Sequence, residues 1–238
     1  MRVLFYILTF MVALATCDSS GTYSIDASHL RQQIWGIGYE IQSDSIGSGN
    51  SHLPDKISGV PHDLISSERA RFFKDMLPGF RYCRLALGLY LRGLDQDQKH
   101  ILGRWSTQME ELQEMQDISG ISGFAVEYWS PAPYWKGPNQ DYICASPSDG
   151  QHPRSLNNSF LNEFSDAMVQ DALYLDKNGL NVEWWGLQNE PYECVTYSSM
   201  IYNASSYLAV FNATAPKLKA ALPNVHIPQD KPTNKYTH

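Results

Sequence analysis

Val182-Glu183-Trp184-Trp185-Gly186-Leu187-Gln188-Asn189-Glu190-Pro191 is an apolar run that ends in an amide, a carboxylate and a proline. It reads as a strand over 182–189, with Glu190-Pro191 opening a turn. In a parallel sheet the C-terminal end of such a strand faces the crevice where ligands are taken. There Glu190 is a candidate general acid, because the tryptophans beside it reduce hydration of an ionised carboxyl. Asn189 can both donate hydrogen bonds to a substrate hydroxyl and accept them from it. The plainer alternative is an exposed glutamate after a strand, with Pro191 starting a turn.

The rest of the chain decides whether the sheet is parallel. Further strand-like runs lie at 34–41, Tyr82–Leu87, 123–129 and 225–227. Between them come helix patterns: 66–77, with Ser67 as N-cap and Pro78-Gly79 as the stop, and a helix that sets Trp105, Met109, Leu112 and Met115 on one face. Phe160, Phe164, Ala167, Met168 and Leu175 mark a long amphipathic helix ending near Gly179, and a last helix spans 204–215. Strand and helix in strict alternation predict βα units on a parallel sheet, the α/β class, because parallel neighbours need a crossover. Strand starts are roughly forty to sixty residues apart, so an eight-unit barrel needs well over about 300 residues and only about five units fit here. The expectation is a parallel (β/α)8 barrel type truncated after about five units, or else a different open α/β sheet. No linker or low-complexity tract divides 17–238, which is expected to be one partial domain.

The 238 residues carry 18 basic and 25 acidic side chains, a formal net charge of −7, which argues against nucleic acid or an anionic membrane surface as partner. At 43% hydrophobic residues there is enough apolar material for a packed core. Fourteen Tyr and six Trp exceed what a core alone uses and leave rings to line a cleft for a ligand with flat apolar faces, such as a sugar. Gly36-Ile37-Gly38 lacks the third glycine and the following helix of a dinucleotide fingerprint, and no phosphate-cradling G-x-x-x-x-G-K-[ST] occurs. H-E-x-x-H and G-x-S-x-G are likewise missing, so no metal and no cofactor are expected.

Arg2, an apolar run over 3–12 and the small residues Ala13-Leu14-Ala15 form a secretory signal pattern, with 1–16 expected to be removed and the remainder to be extracellular with no membrane attachment. Leu14-Ala15-Thr16-Cys17 approaches a lipoprotein box, a minor alternative. Behind such a leader, the sequons at Asn157, Asn203 and Asn212 are candidate glycosylation sites. Cys17, Cys83, Cys144 and Cys194 have no zinc-like spacing; of the three pairings four cysteines allow, Cys144 with Cys194 is preferred, since both follow predicted strands that end at one face.

With these motifs the sequence resembles the retaining glycoside hydrolases of clan A, and among them most of all glycoside hydrolase family 30. The resemblance rests on Gly36-Ile37-Gly38, Arg84-Leu85-Ala86-Leu87-Gly88, Ser130-Pro131-Ala132-Pro133-Tyr134-Trp135-Lys136 and Asn189-Glu190-Pro191, in that order and at βα spacing. It implies Glu190 as acid/base, Asn189 against the hydroxyl beside the anomeric carbon, and Arg84 near the nucleophilic carboxylate. It also implies Trp129 and Trp135 as walls of the innermost sugar subsite and Glu40 as a further hydrogen-bonding group. Trp129, on a strand, fits the core equally well, whereas Trp135 follows two prolines in a loop. In this clan the nucleophile follows the seventh strand, and nothing after 225–227 can be given that role. The chain is therefore expected to be an incomplete, inactive part of a secreted enzyme acting on a carbohydrate. The alternatives are a non-catalytic carbohydrate-binding or interaction protein and, more weakly, an inverting site on a carboxylate pair that sequence spacing does not identify.

Overall fold

The computed structural model describes residues 28, 34–40, 64–87, 91–92, 100–101, 106–136, 155–192 and 199–228. Residues Met1–Trp35 cluster apart from Gly36–His238, and the architecture below belongs to the second unit. The expected leader 1–16, Trp105, Cys17, Cys144 and Cys194 lie outside the described residues.

The elements run β1 (Gly38–Glu40), α1 (Ser66–Asp75), β2 (Tyr82–Leu87), α2 (Ser106–Ser119), β3 (Gly123–Tyr128), α3 (Pro133–Lys136), a 3-10 turn (Asn158–Phe160) into α4 (Leu161–Lys177), β4 (Val182–Gly186) and α5 (Ala204–Ala221). The four strands form one sheet in the order β1-β2-β3-β4, every pair parallel. The α/β reading with crossover helices therefore holds. The fifth run contributes a single parallel bridge, Trp184 to His226, in which His226 N–H donates to Glu183 O at 2.7 Å and Trp185 N–H to His226 O at 2.8 Å.

Period-two alternation sorts the side chains. Cys83, Leu85 and Leu87 of β2 and Phe124, Val126 and Tyr128 of β3 are buried against the helical layer. That layer supplies Phe73 from α1, Met109, Leu112 and Met115 from α2, and Phe164, Met168, Ala172 and Leu175 from α4. The opposite, inner face carries Glu40, Arg84, Glu127 and Trp184. Between β3 and β4 the register shifts: Phe124 pairs with Val182 but Ala125 with Trp184, so Glu183 is a surplus residue.

Several boundaries differ from the sequence reading. β4, read over 182–189, ends at Gly186. β1 begins only at Gly38, with 34–37 outside the strand, because Gly36 and Gly38 weaken a strand that, among the described residues, pairs with β2 alone. α1 starts at Ser66 behind Ile65, with no side-chain cap; Ser67 lies inside the first turn, where Glu68 favours the helix N-terminus instead. α5 continues through Pro216 to Ala221, although residue 216 has no N–H for the carbonyl four residues back. Packing carries it past the proline: Thr214 and Leu218 are fully buried, and Thr214 Oγ1 donates to Ser165 Oγ of α4 at 3.0 Å.

Candidate active site

The ends of β2, β3 and β4 are tied together beyond the strands. Trp129 N–H donates to Leu87 O at 3.2 Å, and Asn189 N–H donates to Tyr128 O at 2.6 Å. The buried Gln188 holds the same corner, its Nε2 donating to Trp129 O and to Asn189 O. On the far side, Tyr202 N–H donates to Pro191 O at 2.7 Å. Glu190 stands between these anchors with φ +45°, the only non-glycine residue with positive φ among the described residues. This goes against its Cβ and against the extended preference of a residue that precedes proline. Such a conformation costs on the order of 1–3 kcal/mol and persists where the surroundings over-determine it, commonly at working sites.

Glu190→Gly is expected to keep or raise thermal stability, by up to about 1 kcal/mol, because glycine adopts this φ freely. Urea melts check it. A loss of 2 kcal/mol or more would mean that the carboxylate is there to hold the fold.

Arg84 links the inner face. It stands in register with Glu40 on β1, and its Nη1 donates to Glu40 Oε1. Its Nε donates to Glu127 Oε2 at 2.6 Å, its Nη2 donates to the same oxygen, and Nη2 also reaches Asn189 Oδ1 at 2.7 Å. Asn189 Nδ2 then faces Glu190 Oε2 at 3.4 Å. Four of the residues singled out in the sequence, Glu40, Arg84, Asn189 and Glu190, thus meet at the C-terminal end of the sheet. Arg84 thus occupies Asn189 Oδ1, and the Nδ2 end of the amide is the one turned to Glu190.

The two adjacent tryptophans of β4 part company. Trp185 is fully buried against the helical layer, 6.5 Å from the Tyr128 ring, while Trp184 lies on the inner face between Tyr82 (6.4 Å) and His226 (4.7 Å). Trp129 is buried at the end of β3, its ring 6.0 Å from the Arg84 guanidinium carbon. Trp135, on α3, is 1% exposed; it packs on Tyr134 and Phe164, and its Nε1 donates to Glu163 at 3.0 Å. It belongs to the core between α3 and α4 and does not join the inner-face cluster.

Glu127 is the site residue the sequence reading passed over. Its signal was an acid at an inward position of an otherwise apolar strand. Of the sequon asparagines, Asn157 caps the 3-10 turn, Asn203 caps α5 in a reciprocal box with Ser206, and Asn212 is exposed on α5. Among the described residues no group of three or more His, Cys, Asp or Glu side chains is placed to hold a metal ion, and no helix is long and apolar enough to cross a membrane.

Neither a protein-family model nor a curated protein matches this sequence. Solved structures do match. SrfJ from Salmonella typhimurium superposes with a TM-score of 0.65 at 18% identity, over 84% of this chain and 44% of that one. The endo-β1,6-glucanase BT3312 gives 0.62 at 16%, over 85% and 45%. Xyn30A, a glycoside hydrolase family 30 subfamily 8 xylanase from Clostridium acetobutylicum, gives 0.59 at 14%, over 84% and 43%. The chain thus spans a little under half the length of these proteins, and what it shares with them over that half is the fold of glycoside hydrolases.

Proposed function

We propose that this chain carries the acid/base part of a secreted, retaining glycoside hydrolase of family 30 type that cleaves O-glycosyl bonds in an oligo- or polysaccharide. The observation that carries the reading is Glu190: an exposed carboxylate in a left-handed backbone conformation at the C-terminal end of a parallel sheet, coupled through Asn189 to Arg84. In this reading Glu190 protonates the departing sugar oxygen and later takes a proton from water, and Asn189 Nδ2 donates to a ring hydroxyl. Arg84 supplies the fixed positive charge, Trp129 backs it, and Glu40 borders the subsite. The nucleophile of a retaining site stands about 5–5.5 Å from the acid/base. Glu40 and Glu127 are both engaged by Arg84, so no described residue is assigned that role. Removal of 1–16, glycans on Asn157, Asn203 and Asn212, and a Cys144–Cys194 bridge complete the proposal.

That same neutralisation of Arg84 favours one second reading, a carbohydrate-binding protein without hydrolysis. The two are separated by incubating the chain with β-1,6-linked glucooligosaccharides and β-1,4-linked xylooligosaccharides while following reducing ends and binding heat. With the nucleophile supplied by a segment outside the described residues, the enzyme reading expects cleavage of one of them, with Glu190→Gln lowering turnover at least about 100-fold and leaving affinity within about threefold. Binding without cleavage, unchanged in Glu190→Gln, supports the second reading. Absence of binding to either series rejects both.

A further inference from the structure

The acid/base chemistry leaves Glu127 without a task, yet the sheet is shaped around it. On the inner face it stands in register with Ala86 on one side and Gly186 on the other, while Arg84 is in register with Ala125. These three neighbours have almost no side chain, which lets the Arg84 guanidinium lean diagonally across β3. A Cβ on Gly186 would come within 3.2 Å of Glu127 Cγ, so any side chain there would make Glu127 give way by a few tenths of an ångström.

The bonding pattern gives that acid a task. Arg84 Nε and Nη2 both converge on Glu127 Oε2, and among the described residues Glu127 is the one partner of Nε. A guanidinium is planar and rigid, so fixing two nitrogens fixes the direction of every remaining N–H. The second hydrogen on Nη2 then points at Asn189 Oδ1, which turns Asn189 Nδ2 toward Glu190.

We infer that Glu127 is the positioning residue of this site: by gripping Arg84 it sets the Asn189 amide so that a donor, and not an acceptor, stands beside Glu190 for a ligand hydroxyl. The inference rests on the proposed sugar site and names the residue that orients it. Glu40 holds only Nη1 and is dispensable for this orientation.

The test uses the whole 15N-labelled chain, with the β-1,6-linked glucose disaccharide and the β-1,4-linked xylose disaccharide as probes. Glu127→Gln is expected to speed hydrogen exchange of Arg84 Nε–H at least about 10-fold, to move the Asn189 side-chain amide resonances and to weaken disaccharide binding about 10-fold. Gly186→Ala removes no polar group and is expected to give the same spectral changes in milder form. Glu40→Gln should leave the Nε–H exchange within about twofold. If Glu127→Gln does not fold, Gly186→Ala carries the test alone. Wild-type exchange and amide shifts in a folded variant overturn the inference, and so does altered exchange with unchanged affinity. If neither disaccharide binds the wild type while both variants change the spectrum as described, the sugar reading fails and the amide-setting role of Glu127 stands.

Discussion

Trp185→Ala is expected to lower stability by about 3–5 kcal/mol, a fall in Tm on the order of 10 °C, whereas Trp184→Ala, one residue earlier, should lower it by no more than about 2 kcal/mol. The first ring is fully buried between β4 and the helices, beside Tyr128, and its removal leaves a cavity that a parallel strand bonded on both sides cannot collapse. The second lies on the half-open inner face, where loss of its contacts with Tyr82 and His226 re-exposes surface that water already reaches in part. Thermal and urea melts of the two variants decide the matter. Equal losses would mean that the two faces of β4 are not as different as the alternation implies.

Arg92→Leu is the second large effect, about 3–5 kcal/mol at neutral pH, because it strands a carboxylate in the core. Arg92 and Asp171 are almost fully buried, with Arg92 Nε on Asp171 Oδ1 at 2.9 Å and Nη2 on the Ala167 carbonyl at 3.0 Å. Burial pushes the Asp171 carboxyl up to about 6 against the pull of Arg92, while burial opposes the Arg92 charge and is outweighed by Asp171 beside it, so the Arg92 pKa is raised. Asp171 therefore holds its proton more tightly in the folded chain than in the unfolded one, whose carboxyl titrates near 3.8. Its stabilising contribution is complete below about pH 4 and is lost as pH rises through about 6. Without Arg92 the carboxyl titrates higher still. The deficit of Arg92→Leu relative to wild type is accordingly expected to grow by about 2 kcal/mol between pH 5 and pH 7.5. Replacing both residues by leucine should recover most of the loss at pH 7. Urea denaturation at pH 5 and pH 7.5 measures this, and a deficit independent of pH would remove Asp171 from the account.

How much of this could be read from the sequence follows the physics of each segment. β2 was legible residue for residue, because Cys83, Leu85 and Leu87 alternate with residues of the other face and Pro78-Gly79 fixes its approach. Met109, Leu112 and Met115 announced the buried stripe of α2 through their spacing. The last helix was read only to 215, because the pattern of α5 does not reveal how firmly Thr214 and Leu218 are held by α4, which carries it past Pro216. At the site, Glu190 and Asn189 were legible because they interrupt an apolar strand at its end. Glu127 was not, since its meaning depends on Arg84, 43 residues earlier, and on the missing side chain of Gly186. Trp135 was read as a cleft residue from its proline-rich surroundings, and tertiary packing against Phe164 and Glu163 takes it into the core.

The surplus Glu183 opposite Phe124 and Ala125 sets the parity of everything downstream on its strand. A strand that lost this one residue while keeping its hydrogen bonds would be turned inside out: the indole that fills the core would swing into the hollow, and the gap that accommodates Glu127 would rotate away from it. The segment can therefore absorb changes of residue type far more readily than a change of length by one, and the spacing from Val182 to Glu190 is itself a structural element, as much a part of the site as the side chains it aims.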